Sequence, residues 1–146
     1  MPIDVVVEIA IDRPRSAVAA YAADPDNATA WYANIESVRW KSPRPLMVGS
    51  RICFVAQFLG QELDYTYEVA ELVPDERFVM RTAEGAFPME TTYTWEDSPG
   101  GGTRMQLRNR GAPAGFSRVV APFIKPAMRR ANRKDLERLK QILERM

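Results

Sequence analysis

The first segment of the chain alternates apolar and polar residues. In IDVVVEIAI, every odd-numbered position from 3 to 11 is Ile or Val, and acids occupy two of the positions between them. A period of two predicts a β-strand with one buried face.

Two short helices are predicted after this strand. In DRPRSAVAAYAADPDN, Asp12 is a candidate cap, Pro14 suits the first turn, and Asp24-Pro25 ends the helix. NATAWYANI then predicts a second, shorter helix.

The period of two returns between residues 35 and 110 in six short segments separated by turn residues. The segments are IESVRWK, RICFVAQFL, ELDYTYEVAEL, RFVMRT, PMETTYTWE and TRMQLRN. Consecutive strands joined by short turns predict an antiparallel meander, which with the first strand makes about seven strands. Such a sheet has one apolar face that another element must cover.

A long final helix is the predicted cover. Helical spacing runs from about Phe116 to the end, roughly 45 Å at about 1.5 Å per residue. Pro122 and Pro126 are expected to kink its first half, because each removes a backbone donor. At 100° per residue the large apolar side chains form one stripe: Met128, Leu136, Leu139, Ile142, Leu143 and Met146.

Length and composition indicate one soluble domain. The 146 residues are expected to form a single domain, residues 1–146, and no apolar run approaches the roughly 20 residues of a membrane helix. The opening MPIDVVVEIAIDRP lacks a basic start and carries acids, so we expect no signal peptide and a cytoplasmic location.

The chain contains no histidine and one cysteine, Cys53. This composition excludes histidine-dependent triads and histidine-ligated metals, and a lone cysteine forms neither an internal disulfide nor a zinc cluster. Cys53 has no flanking group that would lower its pKa, so we interpret it as structural. No metal and no cofactor are expected.

Four features of the chain resemble the SRPBCC superfamily, also described as START-like or polyketide-cyclase/dehydrase-like. They are the opening VVVEIAIDRPRSAVAAYAADPDNATAW, the meander VGSRICFVAQFLGQELDYTYEVAELVPDERFVMRT, the strand GGGTRMQL, and the tail APFIKPAMRRANRKDLERLKQILE. The resemblance implies an α+β helix-grip fold. In that fold a curved antiparallel sheet of about seven strands wraps around a long C-terminal helix, and two short helices follow the first strand. It also implies an elongated cavity for an apolar ligand.

A cavity is expected on physical grounds as well, because a curved sheet cannot contact a straight helix along its whole length. The candidate cavity residues are the large side chains expected on the inner face, together with two smaller polar ones. They are Trp31, Phe54, Phe58, Tyr65, Tyr67, Met80, Phe87, Met89, Thr91, Tyr93, Met105, Phe123, Met128 and Asn132. Each could also be ordinary core, but three phenols with the same inward parity favour a cavity with a polar content.

Asn132 and Asp135 fall within the apolar stripe of the final helix. An unpaired buried amide costs about 1–3 kcal/mol and an unpaired carboxylate costs more, so both need partners. We predict that Asn132 points toward the cavity. Asp135 is predicted to lie nearer the helix flank, paired with Arg108 or Arg110, or to reach solvent.

Charge is distributed unevenly along the chain. Residues 104–146 hold 12 Lys/Arg and 3 Asp/Glu, a net of +9, whereas residues 1–103 hold 8 and 16, a net of −8. We interpret the basic half as a solvated outer helix face, because no aromatic residues interleave with the bases for nucleic-acid stacking.

Three functions remain open at this point. The first is the binding of a small hydrophobic molecule such as a lipid, polyketide or aromatic metabolite. The second is a polyketide cyclase or aromatase acting in the same cavity through Tyr65, Tyr67, Tyr93 and Asn132. The third is a protein- or membrane-interaction module that uses the basic C-terminal helix. No nucleic-acid partner and no integral membrane segment are expected, and a homodimer is left open.

Overall fold

The computed structural model describes residues 2–85, 87–115 and 118–146, and its elements follow the predicted order. The strands are β1 (Ile3–Ile11), β2 (Ile35–Trp40), β3 (Arg51–Phe58), β4 (Gln61–Val73), β5 (Arg77–Glu84), β6 (Met89–Asp97) and β7 (Thr103–Gly111). The helices are α1 (Arg15–Ala23), α2 (Ala28–Trp31) and α3 (Ala121–Glu144), and a 3₁₀ turn, Pro25–Asn27, joins α1 to α2.

The strands form one antiparallel sheet in the order β1-β7-β6-β5-β4-β3-β2. The register shifts once in β2, between Ile35 and Ser37, and twice in β4 against β5. Such bulges bend a strand and increase its twist, and the sheet is accordingly curled into a half-barrel. With α3 held against the sheet and the short helices after β1, the predicted α+β helix-grip fold is confirmed.

The predicted start of α1 is wrong in one detail. The helix begins at Arg15 with Pro14 at the N-cap position, and no side chain caps it. Asp12 has a different role, because its backbone N–H donates to Glu144 Oε2 at 2.8 Å. Asp24 ends α1 and accepts the backbone N–H of Asp26, which starts the 3₁₀ turn.

The C-terminal half of α3 packs tightly into the sheet. Leu136, Leu139 and Leu143 are at most 1% exposed. They belong to one core cluster with residues from the concave faces of the strands, including Val5 and Val7 of β1. Burying a leucine side chain contributes about 1.5–3 kcal/mol, so these three leucines dominate the attachment of the helix.

Hydrogen bonds secure the same half of the helix at its edges. Arg13 Nη1 donates to the carbonyl oxygen of Leu143 at 2.8 Å, and Lys140 Nζ donates to that of Ala10 at 2.9 Å. On the other flank, Arg138 Nε donates to the carbonyl oxygen of Ala30 at 2.6 Å. These contacts hold the last turns of α3 between β1 and α2.

The N-terminal half of α3 differs from the sequence prediction. The predicted start near Phe116 lies outside the described residues, and the helix begins at Ala121. Pro122 therefore sits in the first turn, where a backbone N–H has no helical partner, and the kink expected there has no cause. Pro126 lies inside the helix, as predicted.

The packing of α3 predicts that its C-terminal leucines control stability. We expect Leu139→Ala to lower the free energy of unfolding by about 2–5 kcal/mol, because Leu139 is fully buried and its truncation leaves a cavity. Urea denaturation measures this change. Met146→Ala is the control, since Met146 is 71% exposed. Equal changes for the two variants would contradict this account of the attachment.

Candidate ligand-binding site

A cavity of about 260 Å³ lies under the N-terminal half of α3. The helix contributes Met128, Ala131, Asn132 and Asp135, and the opposite wall is formed mainly by β3, β4, β5 and β6, with Asn109 of β7. The volume is close to the lower end of the range of roughly 300–1,000 Å³ typical of ligand pockets. The space exists because the sheet curves away from the helix beyond the packed leucines.

The cavity brings together most of the candidate residues named from the sequence. Its lining includes Phe54, Phe58, Tyr65, Tyr67, Met80, Phe87, Met89, Thr91, Tyr93, Met128 and Asn132. Alternation along the strands found the strand residues of this set, because every second side chain of a curved sheet faces the helix. The helical stripe found Met128 and Asn132. Phe87 lies in the loop between β5 and β6. Whether they contact a ligand remains a prediction.

Trp31, Met105 and Phe123 do not line the cavity. Trp31 is fully buried behind Tyr32, with ring centroids 4.1 Å apart, and so supports the wall from outside. Met105 is also fully buried, and it lies opposite Trp95 in the register of β6 and β7. Phe123 is 63% exposed, because it lies in the first turn of α3 on the side away from the sheet.

Several cavity residues were missed in the sequence analysis. Tyr32, Thr82, Asn109 and Asp135 all line the cavity. The sequence indicated the direction of two of these side chains. Asn109 lies at an inward-facing position of β7, and Asp135 lies within the apolar stripe of α3. Tyr32 follows α2 in a loop, where no periodicity reveals the direction of a side chain.

Two hydrogen-bonded groups organise the polar part of the wall. The hydroxyls of Tyr32 and Tyr93 lie 2.6 Å apart. Thr91 Oγ1 donates to Asn109 Oδ1 at 2.5 Å and lies 2.9 Å from the Tyr67 hydroxyl. Because the Thr91 hydroxyl has a single hydrogen, Tyr67 is the donor in that pair.

The tyrosines of the wall are held in the neutral form. Burial raises the pKa of Tyr67 to about 12, although its bond to Thr91 opposes the change. Burial also raises the pKa values of Tyr32, Tyr65 and Tyr93 above the usual range. These phenols can therefore donate or accept hydrogen bonds near neutral pH, but they do not supply a phenolate.

Asn132 presents an unsatisfied donor at the cavity. The residue is 5% exposed and lines the cavity, as predicted. No described residue provides a hydrogen-bond partner for its Nδ2. Leaving a buried amide donor unpaired costs about 1–3 kcal/mol, so a hydrogen-bond acceptor placed beside Nδ2 would be stabilising.

Asp135 lies in the cavity wall, and its predicted surroundings are wrong. It is 3% exposed, and its Oδ1 accepts the backbone N–H of Ala33 at 3.0 Å. The expected partners are engaged elsewhere, since Arg108 pairs with Asp4 at 2.5 Å and Arg110 with Glu90 at 2.8 Å. The flank prediction failed because α2 and the loop after it cover this side of α3.

Burial raises the pKa of the Asp135 carboxyl group. Loss of water around the carboxyl raises its pKa to about 6, and the Ala33 N–H only partly opposes this change. Burial is the main cause of the raised pKa values of Tyr32 and Tyr93, and the charge of Asp135 adds to both shifts. A carboxyl group that titrates near neutral pH can accept or donate a proton within the cavity.

Other chemistry is sparse in the described part of the chain. Cys53 is buried, and its Sγ donates to Asp64 Oδ1 at 3.2 Å. Burial is the main cause that raises the pKa of the Cys53 thiol, and the Asp64 carboxylate raises it further. A thiol that stays protonated is a weak nucleophile. Among the described residues, no three His, Cys, Asp or Glu side chains form a group that could hold a metal ion.

The relationship of the chain to known proteins is shown by a family model. The model for polyketide cyclase/dehydrase and lipid transport proteins matches residues 2–144. The chain belongs to this family. The resemblance to SRPBCC and START-like proteins is thereby confirmed. No curated protein is similar enough in sequence to count as a relative.

Solved structures share the family fold at low sequence identity. The protein TTHA0849 from Thermus thermophilus is 21% identical, with a TM-score of 0.82 and 97% of each chain covered. The ZhuI aromatase/cyclase from Streptomyces sp. R1128 is 13% identical, with a TM-score of 0.81, and the match covers 99% of this chain and 95% of that one. A START superfamily protein from Mycobacterium smegmatis is 13% identical, with a TM-score of 0.78 and coverage of 99% and 97%.

None of the helices within the described ranges is long and apolar enough to cross a membrane.

The buried carboxyl of Asp135 predicts a pH-dependent contribution to stability. Because its pKa rises from 3.8 to about 6 on folding, the folded chain binds this proton more tightly than the unfolded chain does. Stability is therefore greatest with Asp135 protonated and falls as the pH rises from about 4 to about 6. We expect Asp135→Asn to raise the free energy of unfolding at neutral pH by up to about 3 kcal/mol.

Urea denaturation at several pH values tests this expectation. The gain from Asp135→Asn should disappear below about pH 4, where the unfolded carboxyl is also protonated. A gain that is the same at every pH would show that the carboxyl charge is not responsible.

Proposed function

We propose that the protein binds a small, mainly hydrophobic molecule with an acceptor oxygen in the cavity between the sheet and α3. The observation that carries this proposal is the Asn132 amide, which lies in the cavity wall with an unpartnered Nδ2. A carbonyl or ether oxygen of a guest would complete its hydrogen bonding.

The rest of the wall suits a flat or flexible apolar guest. Phe54 and Tyr65 stack with ring centroids 5.7 Å apart, and Tyr65 and Tyr67 meet edge to face at 5.0 Å. Met80 and Met89 add adaptable side chains that can pack against differently shaped guests. A lipid chain, a polyketide or an aromatic metabolite fits this combination. The family description, which names polyketide cyclases, dehydrases and lipid transport, supports the same class of ligand.

Filling the cavity is expected to block binding. Prodan, a fluorescent naphthalene with one ketone, is a suitable probe because its emission shifts to the blue in an apolar site. Ala131→Leu adds side-chain volume to the cavity wall on a helix that tolerates leucine, so we expect at least about a tenfold loss of prodan affinity.

Ala127→Leu is the matched control for this experiment. Ala127 lies one turn earlier on α3, is half-buried and is not in the cavity wall, so prodan binding should be unchanged. Native mass spectrometry of gently purified protein would show any retained molecule. If no molecule is retained and wild-type protein does not bind prodan, the proposal fails.

A second candidate function, catalysis of polyketide cyclisation or dehydration in the same cavity, is favoured by Asp135. Its pKa of about 6 lies in the range useful for acid–base catalysis, and the Tyr32–Tyr93 hydroxyl pair lies close enough to be affected by its charge. The chain has no histidine, so this carboxyl is the group in the wall best suited to proton transfer near neutral pH.

The catalytic proposal predicts that Asp135→Asn removes turnover and leaves ligand binding intact. A poly-β-ketone thioester is the test substrate, and cyclised or dehydrated products are measured by mass spectrometry. We expect the rate to fall by about 10²–10⁴-fold, the usual contribution of a general acid or base. Tyr93→Phe should also slow the reaction. An unchanged rate in Asp135→Asn would leave ligand binding as the better account.

A further inference from the structure

The segment from residue 118 to 134 carries positive charge only. It holds six bases and no acid: Arg118, Lys125, Arg129, Arg130, Arg133 and Lys134. We refer to residues 118–134 as the basic segment. It comprises the turn before α3 and the first half of that helix.

The basic segment lacks the ion pairs that neutralise the bases of the sheet. On the outer face of β7, Arg108 pairs with Asp4 at 2.5 Å and Arg110 with Glu90 at 2.8 Å. For the basic segment, no carboxylate of a described residue lies within 4.0 Å of any of the six charged groups. Five of these side chains are exposed, and Arg129 is half-buried.

The same segment exposes two large apolar side chains. Val119 is 78% exposed and Phe123 is 63% exposed. An isolated exposed apolar residue is ordinary, but here two of them lie within five residues of each other among unpaired bases. This combination matches the two requirements for peripheral membrane binding, which are apolar insertion and electrostatic attraction to anionic lipid.

The segment also lies beside the cavity along the chain. Gly115 precedes it and Met128 lies within it, and both residues line the cavity. Residues 113–115 and α3 both line the cavity, so a surface that held this segment would lie next to that part of the cavity wall.

We propose that the basic segment docks the protein on a membrane surface rich in anionic lipid headgroups. The bases attract the headgroups, and Val119 and Phe123 enter the interfacial layer. A second copy of the chain fits this surface poorly, because a symmetric dimer through it would bring two sets of six unpaired bases together. This proposal rests on surface charge and exposure, so it does not depend on the ligand bound in the cavity.

Vesicle co-sedimentation tests the proposal with intact protein. Vesicles of phosphatidylcholine alone are compared with an equimolar mixture of phosphatidylcholine and phosphatidylglycerol. We expect binding to the mixed vesicles only, and we expect it to weaken strongly between about 0.1 M and 1 M salt, as the screening length falls from about 10 Å to about 3 Å.

Variants separate the two parts of the interaction. Arg130→Glu with Lys134→Glu should lower the partition coefficient of the protein onto vesicles at least about 25-fold. Each base near an anionic surface raises that coefficient by a factor of about five. Phe123→Ser should lower it about tenfold through lost apolar burial. The control is Arg39→Glu with Lys41→Glu, which makes the same charge change in β2 and at the residue directly after it, at the edge of the sheet opposite β1. We expect that control to remain within about threefold of wild type.

Prodan binding is measured for each variant to show that the cavity is intact. A loss of vesicle binding with prodan binding retained concerns the docking proposal alone, and a loss of prodan binding concerns the ligand proposal. Absence of binding to mixed vesicles would overturn the docking proposal. Equal losses in the control and in Arg130→Glu with Lys134→Glu would also overturn it, as would retention on polyglutamate or duplex DNA without vesicle binding.

Discussion

The structure depends on one constraint: a long helix must pack against a sheet that bends away from it. The helix is attached through Leu136, Leu139 and Leu143, and by hydrogen bonds from Arg13 and Lys140. Contact is complete along that half, where apolar burial is greatest. Further toward the N-terminus of α3 the two surfaces separate, and the cavity is the space between them.

Where the helix and the sheet separate, not every polar side chain of the cavity wall has a full set of hydrogen-bond partners. Tyr67 and Thr91 satisfy each other, and Tyr32 and Tyr93 form a pair. Asn132 has no such partner for its amide donor among the described residues. Buried polar groups cost stability when they are unpaired, and this unpaired donor in the cavity wall is the basis of the proposal that a guest binds there. The chemistry of the site therefore follows from the geometry of the attachment.

Charge is arranged by the same architecture. The bases of β7 face acids on neighbouring strands across the outer surface of the sheet, as in the pair of Arg108 with Asp4. The first half of α3 has no neighbouring strand on its outer side, and no carboxylate of a described residue lies within 4.0 Å of the charged groups of Arg130 and Lys134. The same helix thus encloses the cavity with one face and presents unpaired positive charge with the other.

Periodicity alone determined much of this protein, because a buried face leaves a regular mark on the sequence. It predicted the seven strands, the final helix, and the direction of residues such as Tyr65 and Asn132. Tertiary structure decided whatever depends on contacts between distant segments. Trp31, at the end of α2, packs against the ring of Tyr32 and does not itself line the cavity. Asp135 is buried where its carboxylate accepts the backbone N–H of Ala33, and Phe123 is exposed in the first turn of α3. Local sequence patterns indicate the direction of a side chain, but not which residues from distant segments contact it.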